Sequence, residues 1–195
     1  MSKQMMQVNL LWEGREYHSL ENCIITITDS GTEINSSIIG EYEQKIYKVD
    51  YTIKTNANWE TQFLEVKTQL NDKRELLTFI SDGKGTWAED GKPANEFRGC
   101  KEVDISLTPF TNTLAIRRLN LSVGESQAIH VIYLDLLNGQ IKSVEQNYKR
   151  LSLSHYQFEN IPNDFSAIIT VDELGLVVDY PELFVRAAWQ ESKNY

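Results

Sequence analysis

Cysteine is scarce in this 195-residue chain, and its scarcity excludes two classes of protein. Cys23 and Cys100 lie far apart in the sequence, and neither belongs to a CxxC pair. Disulfide scaffolds and cysteine-based zinc sites need more cysteines at closer spacing. We therefore predict that both side chains are buried free thiols, which pack in a core as small apolar groups.

Basic charge and long apolar segments are lacking as well. The chain has 19 Lys and Arg residues against 28 Asp and Glu residues, which gives a formal net charge of −9. Nucleic-acid binding needs a basic surface that displaces phosphate counterions, so we expect no nucleic-acid partner. No run approaches the roughly 20 apolar residues of a membrane-spanning helix, and the N-terminal residues do not resemble a signal peptide. These absences predict a cytoplasmic protein without a membrane-spanning segment.

The sequence motifs of common enzymes are also missing. No serine lies in a GxSxG motif, no HExxH motif occurs, and the glycines of residues 82–91 lack the spacing of a phosphate-binding loop. His18, His130 and His155 are scattered, so we predict no metal site and no cofactor. An enzyme stays open as the alternative function. It would be a lyase or isomerase that acts on a small polar molecule in the mouth of a β-barrel-like fold.

Patterns typical of β-strands fill most of the chain. Residues 46–54 alternate apolar and polar side chains from Tyr47 onwards, which predicts a strand with one face in solvent. Turn signals at Asp29–Gly31, Asn71–Asp72 and Asn138–Gly139 separate such segments. About ten strands at this spacing predict a mainly β fold, an antiparallel curled sheet or barrel-like fold with one or two short helices. We expect a single domain over residues 1–195, and the tail from Phe184 suits either a strand or a short helix.

A weak repeat suggests an internal duplication. The segments IYKVDY and DGKGTWAEDG in the first half resemble IHVIYLDL and DELGLVVDYP in the second half.

The segment from Asp104 to Leu119, DISLTPFTNTLAIRRL, is the most informative part of the chain. Pro109 has no N–H to donate, so a strand that reaches it must end there or lie at a sheet edge. The hydroxyl and amide side chains around Pro109 favour a turn or one short helical turn. Beyond it, the alternation in LAIRRL predicts an extended stretch in which either Arg117 or Arg118 points towards the core.

A buried guanidinium needs an anionic partner, because burying an uncompensated charge is costly. Two partners fit an inward arginine equally well. One is an internal carboxylate, with Asp104 and Asp179 as the candidates. The other is the anionic head group of a ligand.

Several segments resemble the bacterial family called putative glycolipid-binding proteins, formerly a domain of unknown function. The matching parts are residues 104–121, the segment GLVVDYPELF at residues 175–184, Trp59, Trp87, Gly99, Cys100, Gln146 and Tyr148. The resemblance covers about residues 12–186 and implies a barrel-like β fold around an apolar cavity, similar to lipoprotein carriers. Many family members have proline where this chain has Ala115, so the segment after Asn112 is freer to form a helical turn.

The resemblance implies that the protein binds an amphiphile without chemistry, with a glycolipid as the candidate ligand. Tryptophan would stack on a sugar ring and arginine would hold anionic oxygens. The candidate ligand-binding residues are Trp59, Trp87, Asp104, Asn112, Arg117, Arg118, Asp179 and Tyr180. The apolar slot would be lined by Tyr51, Phe63, Val131, Tyr133 and Ile169. Each of these side chains suits an ordinary core or an internal ion pair as well, and a homodimer stays open.

Overall fold

Two antiparallel meanders joined edge to edge form the fold. The structure is a computed structural model that describes residues 5–162 and 164–194. The first meander consists of β1 (Met5–Gly14), β2 (Ser19–Thr28), β3 (Gly31–Tyr42), β4 (Lys45–Asn56), β5 (Thr61–Leu70), β6 (Lys73–Ser81), β7 (Trp87–Glu89) and β8 (Lys92–Pro93). A single 3₁₀ turn at Asn95–Phe97 then leads to β9 (Glu102–Ile105) and to helix α1 (Phe110–Leu119).

The second meander follows α1. It consists of β10 (Ser126–Asp135), β11 (Gln140–Arg150), β12 (His155–Ile161), β13 (Ser166–Val171), β14 (Val177–Tyr180) and β15 (Phe184–Asn194). The first strand, β1, pairs with the last, β15, so all the described strands belong to one sheet. The C-terminal segment from Phe184, for which the sequence suited either a strand or a short helix, is therefore a strand.

The sheet is curled but not closed. Its order is β8-β7-β6-β5-β4-β3-β2-β1-β15-β14-β13-β12-β11-β10-β9, and every pair is antiparallel except β9 with β10. Edge strand β9 approaches β5 across the interior, and the Tyr51 hydroxyl of β4 lies 3.2 Å from Thr108 Oγ1, just after β9. The mainly β, curled architecture predicted from the sequence is confirmed. The internal duplication stays a prediction.

Alternating side chains and left-handed turns explain the first meander. In β4 the side chains of Tyr47, Val49 and Tyr51 are buried, and Lys48 faces solvent. The two-residue turns after β5 and β7 need positive φ, which Asn71 (φ +52°) and Asp90 (φ +45°) tolerate.

The turn predicted at Asn138–Gly139 is present, but it is longer than the two-residue hairpin turn that an Asn-Gly pair favours. The connection from β10 to β11 has four residues, 136–139. The Asp135 carboxylate accepts hydrogen bonds from the backbone N–H of Asn138 (3.2 Å) and from its side-chain amide (2.9 Å). These two hydrogen bonds stabilise the four-residue turn directly after the last strand pair, Asp135 with Gln140.

Residues 110–119 form a helix, so the extended stretch predicted for LAIRRL is wrong. Leu, Ala and Arg have high helix propensity, and Thr108 Oγ1 accepts the backbone N–H of Phe110 (3.1 Å) at the helix start. Asn120 ends the helix in the left-handed conformation (φ +45°). Neighbouring helical residues are about 100° apart, which leaves Arg117 exposed and Arg118 mostly buried.

Helix α1 divides the interior into two apolar clusters. Phe110 and Leu114 pack in the cluster of the first meander, and Ala115 and Ile116 pack in the cluster of the second meander. Cys23 and Cys100 are buried and free, as predicted. Helix α1 therefore packs with different residues in two separate apolar clusters.

Candidate functional site

A cavity of about 210 Å³ lies between the segment that joins β9 to α1 and the strands β12, β14 and β15. Six aromatic residues line this interior cavity: Tyr17, Tyr133, Phe158, Phe165, Tyr180 and Phe184. Polar residues form the rest of the lining, here called the polar wall, and include Glu16, Asp104, Asn112 and Asn160. The cavity therefore combines a large aromatic surface with carboxylate and amide groups.

The aromatic rings form a continuous wall. The ring centroid of Phe158 lies 6.1 Å from that of Phe165 and 6.2 Å from that of Tyr180. Tyr180 continues the wall to Phe184 (6.2 Å), and Phe184 to Tyr17 (6.3 Å). These tilted and edge-to-face contacts are favourable for aromatic pairs, so the packing holds the wall in place.

Asp104 sits at the start of the polar wall, within β9. One of its carboxylate oxygens accepts a hydrogen bond from Thr111 Oγ1 (2.9 Å), and the other accepts one from Gln146 Nε2 (2.6 Å). In the described part of the chain no Lys, Arg or His forms an ion pair with it. Burial raises the pKa of this carboxyl above its ordinary value, and the two hydrogen bonds oppose that rise.

Asn112 lies in the first turn of α1 and is held from two sides. Its side-chain oxygen accepts a hydrogen bond from the hydroxyl of Tyr148 (3.0 Å), and its amide nitrogen donates to the carbonyl of Pro109 (3.3 Å). Both Asn112 and Tyr148 are buried. The turn around Pro109 thus fixes the helix start against the second meander.

Two tyrosine hydroxyls of the cavity lining share the electrostatic environment of Asp104. Burial raises the pKa of Tyr133 to about 12, and the charge of Asp104 adds to that rise. Burial likewise raises the pKa of Tyr180, again with a contribution from Asp104, and the pKa of Tyr17, where Glu16 contributes. Both Tyr17 and Tyr180 line the cavity.

A second concavity of about 870 Å³, the arginine groove, lies at the C-terminal end of α1. Trp59, Arg117, Arg118, Arg150 and Tyr156 line it, together with acidic side chains that include Glu60 and Asp172. The Arg117 guanidinium stacks 5.1 Å from the centroid of the Trp59 ring. Arg150 donates hydrogen bonds to three backbone carbonyls, of which that of Leu121 is the nearest at 2.8 Å. The guanidinium groups of Arg117 and Arg150 are thus already in contact with other groups of the protein.

Arg118 is paired inside the protein. Its Nε donates to Glu102 Oε1, and the Glu102 side chain is 1% exposed. Of the two alternatives, the structure thus gives Arg118 an internal carboxylate, but the candidate partners Asp104 and Asp179 were wrong. On a helix Arg118 points back towards the residue that begins β9, two positions before Asp104, whereas the sequence argument assumed an extended chain.

The structure separates the sequence-predicted ligand residues into three places. Asp104, Asn112 and Tyr180 line the interior cavity, and Trp59, Arg117 and Arg118 line the arginine groove. Trp87 and Asp179 line neither. Asp179 forms a half-exposed ion pair with Arg15 at 3.4 Å.

Most of the predicted apolar slot lies outside the interior cavity. Of its five residues only Tyr133 lines the cavity. Tyr51, Val131 and Ile169 are core side chains, and Phe63 is half-buried beside Lys54. Sequence reasoning also missed Phe158 and Phe165, because an aromatic residue in a strand signals burial but not which cavity it reaches.

A buried carboxyl lies behind the polar wall, and sequence reasoning missed it as well. Glu21 of β2 is 2% exposed, and its Oε1 accepts hydrogen bonds from Ser36 Oγ (2.7 Å), the Tyr51 hydroxyl (2.7 Å) and Thr108 Oγ1 (2.9 Å). Its Oε2 has no partner in the described residues. Burial raises the pKa of Glu21 from 4.5 to about 7, against the opposing effect of these three donors.

Trp87 is held in the core of the first meander. Its side chain is 3% exposed, its Nε1 donates to the carbonyl of Cys100 (2.7 Å), and its ring meets Phe79 edge to face. We expect Trp87→Phe to lower the free energy of unfolding by about 1–2 kcal/mol, because one buried hydrogen bond and part of the ring contact are lost. Urea unfolding would measure this change. A variant of unchanged stability that has lost ligand binding would contradict this assignment.

Comparison with known proteins gives a family and two structural relatives. Residues 9–186 match the family described as putative glycolipid-binding. A crystal structure of a DUF1089 family protein from Pseudomonas aeruginosa is 34% identical, with a TM-score of 0.78, over 85% of this chain and 91% of that one. No curated protein matches the chain significantly.

A more distant structure shares the fold. The β-barrel-like protein of the domain of unknown function DUF1849 from Brucella abortus has a TM-score of 0.51 at 8% identity, over 99% of this chain and 97% of that one. Separately, none of the helices in the described residues has the length and apolar character needed to cross a membrane.

Proposed function

We propose, from the premise that the chain belongs to the putative glycolipid-binding family, that it binds an amphiphile of the glycolipid class in the interior cavity without converting it. The observation that carries this proposal is the continuous aromatic wall beside a polar wall of carboxylate, amide and phenol groups. Aromatic faces pack on the C–H faces of a sugar, and convergent polar groups bind its hydroxyls. Both requirements meet in this one cavity.

The size of the cavity limits which part of a ligand it holds. Its volume of about 210 Å³ lies below the roughly 300–1,000 Å³ of sites that enclose a whole drug-sized molecule. The proposal therefore places one sugar-sized head group inside and leaves the hydrocarbon chain at the mouth. Of the sequence-predicted residues, Asp104, Asn112 and Tyr180 would contact that head group.

The cellular location completes the proposal. We place the protein in the cytoplasm, where reducing conditions would keep the free thiols of Cys23 and Cys100 reduced.

Filling the cavity tests the proposal. Leu183 lines the cavity and is half-buried, so Leu183→Trp should narrow the cavity without removing a polar contact. We expect this variant to bind n-octyl β-D-glucoside at least about tenfold more weakly than the wild type, as measured by calorimetry below the micelle concentration. Leu76→Trp makes the same change on an exposed part of β6 and should bind like the wild type.

Two results would count against this function. A wild-type protein that binds neither octyl glucoside nor any co-purifying amphiphile, as seen by native mass spectrometry, would contradict binding in the cavity. A bound amphiphile that is chemically changed over time would favour the lyase or isomerase alternative.

A further inference from the structure

The interior cavity has acidic groups in its lining, and no basic residue of the described lining balances them. Two carboxylates, Glu16 and Asp104, line it, and no Lys, Arg or His is among the described residues that do so. Of the basic side chains nearby, Arg15 pairs with Asp179 and Arg118 pairs with Glu102. The ammonium of Lys142 lies 5.8 Å from the centroid of the Tyr133 ring and does not line the cavity. The charge of the cavity must therefore be balanced by solvent, by protonation or by a ligand.

Of these two carboxylates, Asp104 more clearly lacks a positive group that would balance its charge. Its hydrogen-bond donors, Thr111 and Gln146, are both neutral. A buried carboxylate with neutral donors alone retains a large desolvation cost, which a cation within a few ångströms would lower. The field of this carboxyl also reaches the hydroxyls of Tyr133 and Tyr180, whose pKa values it raises.

The aromatic wall adds a second feature that favours a cation. The face of an aromatic ring carries partial negative charge, and cages of several rings bind ammonium groups in preference to neutral groups of the same shape. Tyr180 is 4% exposed and lines the cavity. The phenol oxygen of Tyr180 is of a type that can accept a hydrogen bond from an N–H group.

We propose that the head group bound in the interior cavity carries an ammonium, held between the aromatic wall and Asp104. This inference rests on the proposed function and specifies its ligand class: the amphiphile bears an amine, either on an amino sugar or as an alkylammonium. Asp104 supplies the countercharge, Phe158 and Phe165 supply ring faces, and Tyr180 supplies an acceptor. A phosphate or carboxylate head group would meet repulsion in the same place.

A pair of probes of equal shape tests the charge requirement. Choline and 3,3-dimethyl-1-butanol differ in a quaternary nitrogen against a quaternary carbon, and titration calorimetry measures both affinities. We expect choline to bind at least about tenfold more tightly than the neutral alcohol. Equal affinities, or no binding of either probe, would overturn the inference.

Variants of the protein test whether the preference for choline over the neutral alcohol depends on Asp104 and on the aromatic wall. Asp104→Asn should remove most of the preference for choline, whereas Asp50→Asn, the same change on the outer face of β4, should keep it. Thermal unfolding would show whether Asp104→Asn is folded. Phe165→Leu, at a half-buried position, should weaken choline binding several-fold while it leaves binding of the neutral alcohol nearly unchanged.

The inference and the proposed function fail separately. If octyl glucoside binds in the cavity but choline is not preferred over its neutral isostere, the ammonium inference is wrong and amphiphile binding stands. If choline is preferred in an Asp104-dependent manner but no amphiphile binds, the cavity recognises a small cation and the proposed function is wrong.

Discussion

Replacing Arg118 by alanine is expected to lower the free energy of unfolding by about 3–5 kcal/mol at neutral pH. The substitution leaves the Glu102 carboxylate, 1% exposed, without the guanidinium that balances its charge. The second oxygen of Glu102 has no hydrogen-bond partner in the described residues even with Arg118 present. The carboxylate therefore has nothing to replace the lost contact, and the variant must either bury a charge or take up a proton.

Two controls separate this pair from its surroundings. Arg117→Ala, at the neighbouring exposed position, loses the stacking on Trp59 and should lower the free energy of unfolding by less than about 1 kcal/mol. The double variant Arg118→Ala, Glu102→Gln should recover much of the loss, because no buried charge then lacks a partner. Urea unfolding of all four proteins would measure these differences. An Arg118→Ala variant as stable as Arg117→Ala would rule out the structural ion pair and favour an arginine that holds a ligand.

The second large effect is expected at Glu21 and depends on pH. The folded protein raises the pKa of this carboxyl from 4.5 to about 7, so the folded state binds the proton more tightly than the unfolded chain does. Below about pH 4.5 Glu21 is protonated in both the folded and the unfolded state, so its ionisation does not lower the free energy of unfolding. As the pH rises from about 4.5 to 7, the unfolded chain ionises first, so stability falls by about 3 kcal/mol and is then level.

Glu21→Gln should remove this pH dependence. The glutamine oxygen can still accept hydrogen bonds from Ser36, Tyr51 and Thr108, but the side chain no longer ionises. We expect the variant to be more stable than the wild type at pH 8 and to differ little from it at pH 4.5. Guanidinium unfolding across this range would measure the difference.

An exposed carboxyl provides the matched control for Glu21. Glu75→Gln makes the same chemical change on an exposed part of β6 and should follow the wild-type pH profile. A Glu21→Gln profile parallel to that of the wild type would show that the carboxyl is already at an ordinary pKa, and that water reaches its free oxygen.

The strands could be predicted because the pattern that specifies each strand lies within the strand and the turns beside it. An alternating run such as β4 places Tyr47, Val49 and Tyr51 on one face wherever the strand ends up, and turns at Asn71 and Asp90 depend on residues that tolerate positive φ. The same local argument was wrong for residues 114–119. An extended chain would place Leu114 and Ile116 on one face and Arg117 and Leu119 on the other. Helix propensity and the hydrogen bond from the Phe110 N–H to Thr108 Oγ1 instead favour a helix.

The candidate site was only partly predictable. Asp104, Asn112 and Tyr180 were expected to bind ligand and do line the interior cavity, where their role stays a proposal. The expected contribution of Phe63 to the slot depended on facing, and the structure places Phe63 beside Lys54 instead. A facing prediction fails when a strand has two half-buried faces, because alternation then does not distinguish inside from outside.

Composition and local pattern were enough to establish a mainly β chain with free buried cysteines and a special segment around Pro109. Which charges meet inside the protein depended on the folded chain. Glu102 and Arg118 are 16 residues apart, Thr108 and Glu21 are 87 apart, and Asp104 faces aromatic side chains from β12, β14 and β15. Such contacts arise when the sheet curls around α1. The balance of buried charge depends on distances across that curl, and no local sequence pattern encodes them.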